Sequence, residues 1–255
     1  MALLCGVLDR ADAEPKHGRR LRLLAAACLD TAQMVDPPEV VGRVEAAVEQ
    51  LVPPRGQNET RSLALAGGRM LRILPSSLDG LSDASAAACV KTAALIGGPE
   101  AQRLLARWSP DPRGPVQRAL AQVWRYFDPT DYAEAVLRDA PLDDGRIKLD
   151  LVEHVPHLRR LQLLRDARLD LFNTGLDSLD FLHDAPPVIT WLQMQVEGPV
   201  DLAPLANCPA LVLLNVFGAE ATGIEQIPRL TALDTLSLVS PGRGRDLSFL
   251  GDAQH

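Results

Sequence analysis

Leu211-Val-Leu-Leu-Asn-Val-Phe217 and Leu233-Asp-Thr-Leu-Ser-Leu-Val239 share one pattern, Leu-x-x-Leu-x-Leu with Val accepted at the last place. Outward from them it occurs again at Ile189/Leu192/Met194 and at Leu158/Leu161/Leu163, so that successive first members stand 31, 22 and 22 residues apart. A second landmark lies between these runs: Leu179-Asp-Phe-Leu182, Leu202-Ala-Pro-Leu205, Ile224-Glu-Gln-Ile227 and Leu247-Ser-Phe-Leu250, at steps of 23, 22 and 23. Pro156, Pro187 and Pro209 mark entries to the runs. Two interleaved landmarks that keep one period imply a unit of one short strand and one return segment. A unit of that size cannot bury its apolar face alone, so neighbours must stack.

The period falls within the ~20–29 residues of leucine-rich repeats. The first interval, 31 residues, exceeds the 22 that follow and reads as an insertion through Arg165 to Gly175. The Asn or Cys that often follows the strand in this repeat class is missing. No further run follows Leu247–Leu250, so the array is expected to end uncapped or to continue outside this chain.

Side chains alternate along a strand, so the residues flanking the core leucines face outward on the concave sheet. The expected outward columns are Gln162, Gln193, Asn215 and Ser237; Arg160, Trp191, Leu213 and Thr235; and Leu164, Gln195, Phe217 and Val239. Uncharged hydrogen-bonding groups beside Trp191 and Phe217 form a candidate partner-binding surface, because aromatic anchors are enriched at interfaces. The competing reading has the amides laddering along the sheet and the rings meeting other parts of this chain. Exposed Trp and Phe otherwise cost solubility, which favours a protein ligand.

The N-terminal part has helical periodicity punctuated by Pro and Gly. Leu21, Leu24, Ala25, Cys28, Leu29 and Ala32 form an apolar stripe over Arg19–Gln33. Asp36-Pro37-Pro38-Glu39 opens a helix through Leu51, and Asn58 or Thr60 starts a third that runs to Leu74 across Gly67-Gly68. An Ala-rich helix follows Ser82 and stops at Gly97-Gly98, and shorter helices start at Pro99, Asp111-Pro112 and Asp128-Pro129. Short helices with Asp-Pro starts look like an α-solenoid of HEAT type, and an ordinary helical bundle fits the same residues. The expected fold class is α+β. An N-terminal all-helical (HEAT-like) region spans 1–144, and a short leucine-rich-repeat solenoid with a parallel sheet spans 145–255. The boundary is placed at Asp143-Asp144-Gly145, where periodicity and charge both change: residues 1–150 hold 19 basic and 20 acidic side chains, and 151–255 hold 7 and 13.

A net charge of −7 argues against a nucleic-acid partner, whose phosphates are gripped by Lys and Arg. There is no apolar run of ~20 residues to span a membrane. The opening Met1–Arg10 has no basic start and carries Asp9, unlike an export signal. Cys5, Cys28, Cys89 and Cys208 lie far apart and read as apolar residues of a reducing, cytoplasmic compartment. The enzyme motifs GxSxG, HExxH and GxGxxG are absent. Val90-Lys91-Thr92 lacks the Gly of a phosphate loop and reads as a solvated Lys on a helix. Pro156 breaks the helical spacing that His154 and His157 would need to share a metal, so both read as surface or core histidines. The carboxylate pairs Asp143-Asp144 and Asp128…Asp131 sit where turns or caps need acceptors. Asn58-Glu-Thr60 fits a glycosylation sequon, which matters only after export. Arg19-Arg20-Leu21-Arg22, with Lys16 nearby, reads most simply as the exposed face of the first long helix, and an acidic neighbouring domain is the alternative partner for it. No catalytic residue, cofactor or metal is expected.

Helices such as Arg20–Ala32, Ala87–Pro99 and Val116–Pro129, followed by the leucine-rich repeats, resemble the C-terminal half of bacterial NACHT-domain NTPases, which are similar to NOD-like receptors. The excess of Arg over Lys, 23 against 3, fits a GC-rich genome. The resemblance implies a sensor of a signalling or defence protein, with a NACHT NTPase as partner in cis or in trans. The family's phosphate-binding loop and Mg²⁺-holding acids have no counterpart here, so no nucleotide chemistry carries over. The functional expectation is a non-enzymatic recognition module. The alternative is a truncated fragment of an NTP hydrolase whose catalytic domain lies outside this chain.

Overall fold

The computed structural model describes residues 2–31, 38–55, 57–218 and 221–239, and the chain divides into two compact units, 1–127 and 128–255. Asp36-Pro37, the end of the first expected stripe at Ala32 and Gln33, and the Leu247–Leu250 landmark lie outside the described residues.

The first unit consists of helices. They are α1 (Ala2–Ala13), α2 (Pro15–Thr31), α3 (Pro38–Glu49), α4 (Gln57–Ala64), α5 (Gly68–Ile73), α6 (Asp83–Ile96), α7 (Gly98–Trp108) and α8 (Gly114–Gln122), the last running into a 3₁₀ turn at Val123–Tyr126. The structure adds α1 ahead of the first expected stripe; its Leu4, Leu8 and Ala11, spaced four and three apart, are buried. It also divides the expected third helix. Gly67 takes a φ of 63°, a left-handed conformation open to glycine, which ends the hydrogen-bonded run after α4. Helix α6 starts where Ser82 accepts the Ser85 N–H, and its Ala86–Val90, Thr92, Ala93 and Ala94 are all buried. A helix with so much of its length buried is packed against on several sides, and α4, α7 and α8 pack around it. Its small side chains let them approach closely. Thr92 is accommodated because its hydroxyl donates to the Ala88 carbonyl at 2.8 Å. Lys91 is half-buried rather than fully solvated, and burial lowers its pKa.

Two arginines tie loops to helices. Arg19 was expected on a solvated face, but its guanidinium meets Glu59 at 2.5 and 2.6 Å and donates to the Leu51 carbonyl at 2.7 Å. Arg113 meets Asp111 at 2.6 Å and donates to the carbonyls of Leu81 at 2.7 Å and Leu78 at 3.1 Å. Hydrogen bonding from Arg113 holds the Asp111 carboxyl below the usual carboxylate range, against the upward push of its partial burial. For Glu59, burial pushes upward, but the Arg19 guanidinium and the Arg55 N–H outweigh it and the carboxyl is also held low. A carboxyl depressed in the fold stabilises it above the unfolded pKa of about 4, and that contribution disappears as pH falls through the lower folded value. The urea midpoint of the first unit should therefore drop below about pH 4. The drop should be shallower in Asp111→Asn/Glu59→Gln; parallel profiles for the two proteins would contradict this.

The second unit opens with α9 (Pro129–Tyr132), where the Asp128 carboxylate accepts the N–H groups of Thr130 and Asp131, both at 2.9 Å. That is the capping role expected of Asp128. A π turn, Ala133–Leu137, continues it. The Asp143-Asp144-Gly145 turn lies inside this unit, with Leu142, Asp143, Asp144 and Gly145 at φ 54, 48, 65 and 76°. It is anchored by buried Leu142 and by the Arg165 N–H, which donates to the Gly145 carbonyl at 2.8 Å. A Cβ on Gly145 would come within 2.9 Å of the Leu163 carbonyl oxygen, so only glycine fits.

From there the chain builds a parallel sheet. Its strands are β1 (Arg146–Leu149), β2 (Asp166–Leu176), β3 (Ile189–Val196), β5 (Leu213–Phe217) and β7 (Thr235–Val239), in the order β1-β2-β3-β5-β7. Two short strands, β4 (Val200–Asp201) and β6 (Ala221–Thr222), pair separately. Parallel neighbours need a return crossing, which the 3₁₀ turns Asp180–Asp184, Ala203–Asn207 and Ile224–Arg229 help supply. These turns stack on one another and bury Leu182, Leu205 and Ile227. Leu169, Leu171, Leu192, Met194, Leu214 and Val216 of the strands are buried as well. The second landmark of the repeat therefore marks the returning turn, and the first marks the strand.

The first run departs from this. Leu158/Leu161/Leu163 is not a strand. Val152–Arg160 is a 3₁₀ helix, and Leu163 is 46% exposed. The partner of Leu192 in β2 is Leu169, and that of Met194 is Leu171. Val155-Pro-His-Leu158-Arg-Arg-Leu161 corresponds instead to Ile227-Pro-Arg-Leu230-Thr-Ala-Leu233, which precedes β7. The extra residues lie between Leu161 and Leu169, so most of the supposed insertion, Arg165 to Gly175, is strand β2 itself.

Candidate functional site

Alternation along the strands sends Leu169, Leu171, Leu192, Met194, Leu214 and Val216 inward and leaves the residues between them on the sheet's outward face. Parallel register lines the latter up in rows. Lys148, Arg168, Trp191, Leu213 and Thr235 are neighbours across five strands. Asp170, Gln193, Asn215 and Ser237 form a second row, and Gln195, Phe217 and Val239 a third, with Phe172 two residues beyond Asp170 on β2. A bulge helps set this register, because Ala167 pairs with Ile189 and Arg168 with Trp191, leaving Thr190 as the additional residue. The Thr190 hydroxyl hydrogen-bonds the Asp166 carboxylate.

Nine of the twelve expected surface residues lie on this face: Trp191, Gln193, Gln195, Leu213, Asn215, Phe217, Thr235, Ser237 and Val239. Arg160, Gln162 and Leu164 do not, and this corrects the expected columns. Arg160 ends the 3₁₀ helix, paired with Glu134. The Gln162 N–H donates to the Arg138 carbonyl at 2.7 Å, and Leu164 precedes the strand. Their places belong to Arg168, Asp170 and Phe172, and Lys148 extends the first row. The alternation in Arg168-Leu-Asp-Leu-Phe172 signals this strand, but Leu158/Leu161/Leu163 matches the repeat template more closely.

The Arg168 guanidinium carbon stands 5.7 Å from the Trp191 ring centre, and its Nε is 3.3 Å from the Asp166 carboxylate. Lys148 Nζ pairs with Asp170 at 2.6 Å. The rings of Phe172 and Phe217 meet at 5.3 Å between centres, tilted by 48°. They belong to strands on either side of β3, whose backbones are about 10 Å apart at a strand spacing of ~4.8 Å. The two rings thus lean toward each other across the Gln195 position. Asn215 Nδ2 donates to Gln193 Oε1 at 3.4 Å. Trp191, Gln193, Leu213, Asn215 and Phe217 are half-buried, whereas Gln195, Thr235 and Val239 are exposed.

Elsewhere, His154 is buried and Thr60 of the sequon is buried in α4. Burial pushes the Cys89 and Cys208 thiols up to about 12, which keeps both protonated and poorly nucleophilic. Among the described residues no three His, Cys, Asp or Glu side chains converge to hold a metal ion, and no helix is long and apolar enough to cross a membrane. Compared with known proteins, the chain matches no family model, no curated sequence and no solved structure.

Proposed function

We propose that this chain is a non-enzymatic protein-recognition module of the cytoplasm, whose second unit is a short leucine-rich-repeat solenoid and whose ligand lies on the outward face of the sheet. One observation carries the reading: the register from β3 to β7 gathers Trp191, Gln193, Asn215 and Phe217 into one uncharged, partly open patch, although they are scattered in sequence. Rigid strands hold these rings and amides at fixed spacing, which reduces the ordering cost of binding. Aromatic anchors beside amide groups supply both buried area and directional hydrogen bonds. The resemblance to NACHT-associated repeats supports a sensing role beside an NTPase, with the helical unit, HEAT-like in this reading, as spacer and docking arm. In such a switch, ligand binding relieves a contact with the NTPase, and the ligand must prefer one state by several kcal/mol.

The test is a selection of random dodecapeptides displayed on phage against the full chain. Trp191→Ala/Phe217→Ala should keep the circular dichroism and melting profile of the parent, because both rings already touch solvent. It should bind the selected peptides at least about tenfold more weakly. Unfolding of the double variant would make the rings core residues, and unchanged binding would remove the face from the reading. ATP hydrolysis by the purified chain well above background would overturn the non-enzymatic assignment.

A further inference from the structure

Resting on that reading, we infer that the outward face takes an extended peptide segment with net positive charge. Two independent observations specify the ligand. The first is the relief of the face. The row Gln193, Asn215, Ser237 lies between an apolar ridge begun by Trp191 and Leu213 and another formed by Phe172 and Phe217. Side-chain amides offer a donor and an acceptor each, the combination that a peptide backbone presents in return. The Asn215–Gln193 contact, at 3.4 Å, is long for such a bond and easily exchanged for one to a ligand. A chain laid across the strands in this trough would set its backbone on the amides and its side chains against the ridges. A folded, convex partner would meet the ridges and leave the amides without pairs.

The second observation is charge. Residues 169–239 contain nine Asp or Glu against a single Arg and no Lys. Division at residue 127 sharpens the asymmetry: 1–127 holds 16 basic and 13 acidic side chains, and 128–255 holds 10 and 20. Asp177 and Glu197 follow β2 and β3 directly, both exposed, and the Glu197 N–H donates to the Leu176 carbonyl at 3.2 Å, so the two acidic residues stand side by side at the strand ends, beyond the Phe172–Phe217 ridge that bounds the trough. The face's cations offset little of this: Lys148 is matched by Asp170, which leaves eight of the nine, and Arg168 is matched by Asp166, which lies outside that count. Exposed carboxylates at the strand ends beside the uncharged row of Gln193, Asn215 and Ser237 steer cationic chains toward it and repel polyanions. Nucleic acids and anionic lipid surfaces are disfavoured on the same ground. Arg168 stacked on Trp191 shows that this ring accepts a guanidinium.

The experiment reads the same dodecapeptide selection for composition, then measures synthetic copies of the enriched peptides by fluorescence anisotropy against the full chain. Enriched sequences should carry an excess of Arg and Lys, bind more weakly as salt is raised, and lose at least about tenfold in affinity with Asp177→Lys/Glu197→Lys and with Asn215→Leu. Circular dichroism checks each variant, and Gln193→Leu replaces Asn215→Leu should the latter misfold. Neutral or acidic peptides that survive charge reversal but depend on Trp191 and Phe217 would overturn the cationic ligand and leave the recognition face standing. Absence of any peptide that depends on those two rings would overturn both.

Discussion

Truncating Leu171 to alanine should destabilise the sheet unit by about 2–5 kcal/mol, and the same change at Leu163 by less than about 0.5 kcal/mol. The repeat template makes the opposite assignment, since Leu163 completes Leu158/Leu161/Leu163 and Leu171 falls in the supposed insertion. In the fold Leu171 is fully buried on β2 opposite Met194, whereas Leu163 is 46% exposed in the turn before that strand. Removing a side chain enclosed by the strands and the 3₁₀ turns leaves a cavity that stacked units cannot collapse, so transfer and cavity terms both count. Removing one already in water forfeits little. Hydrogen exchange of the β3 and β5 amides under native conditions isolates the sheet unit from the helical one. Equal effects from the two substitutions, or a larger one at Leu163, would show that the first strand runs through 158–163.

Arg113→Ala is expected to cost the helical unit about 2–4 kcal/mol. The guanidinium is the donor for two loop carbonyls, Leu78 and Leu81, and pairs with an Asp111 side chain that is only 11% exposed. Its loss strands a largely buried carboxylate and two acceptors together. The loop that carries Asp111, between α7 and α8, is held as well by Gln117 Nε2, which donates to the carbonyls of Ser109 at 2.7 Å and Asp111 at 2.6 Å. Lysine should restore only part of the loss, because a point charge cannot reproduce the planar fork that serves three partners. Exposed Arg107 is the control, with an expected change within about 0.5 kcal/mol. In a Trp191→Phe background the remaining tryptophans, Trp108 and Trp124, both lie in the first unit, so their fluorescence in urea reports it alone. An Arg113→Ala midpoint equal to that of the Arg107 control would show that the network contributes nothing.

Repetition and punctuation were legible without a structure. The 22-residue recurrence places β3, β5 and β7 and, through the second landmark, the turns that return between them. Ser82, Gly97-Gly98 and Asp128-Pro129 place helix ends, because caps and left-handed positions admit few residue types. The uncharged patch from Trp191 to Val239 follows from alternation alone. Tertiary structure decided what periodicity cannot. Leu158/Leu161/Leu163 fits the template in full while Asp166/Leu169/Leu171 lacks its first member, and only pairing with Leu192 selects Leu169, which moved the first members of the surface rows from Arg160, Gln162 and Leu164 to Arg168, Asp170 and Phe172. Likewise, nothing local separates Arg19 or Arg113 from their solvated neighbours until distant residues bring Glu59, Leu51, Leu78 and Leu81 to them. A sequence records the periods a backbone imposes on its own neighbours. The partner a residue meets across a sheet or between helices is set by packing, where one extra residue in a loop shifts every contact that follows.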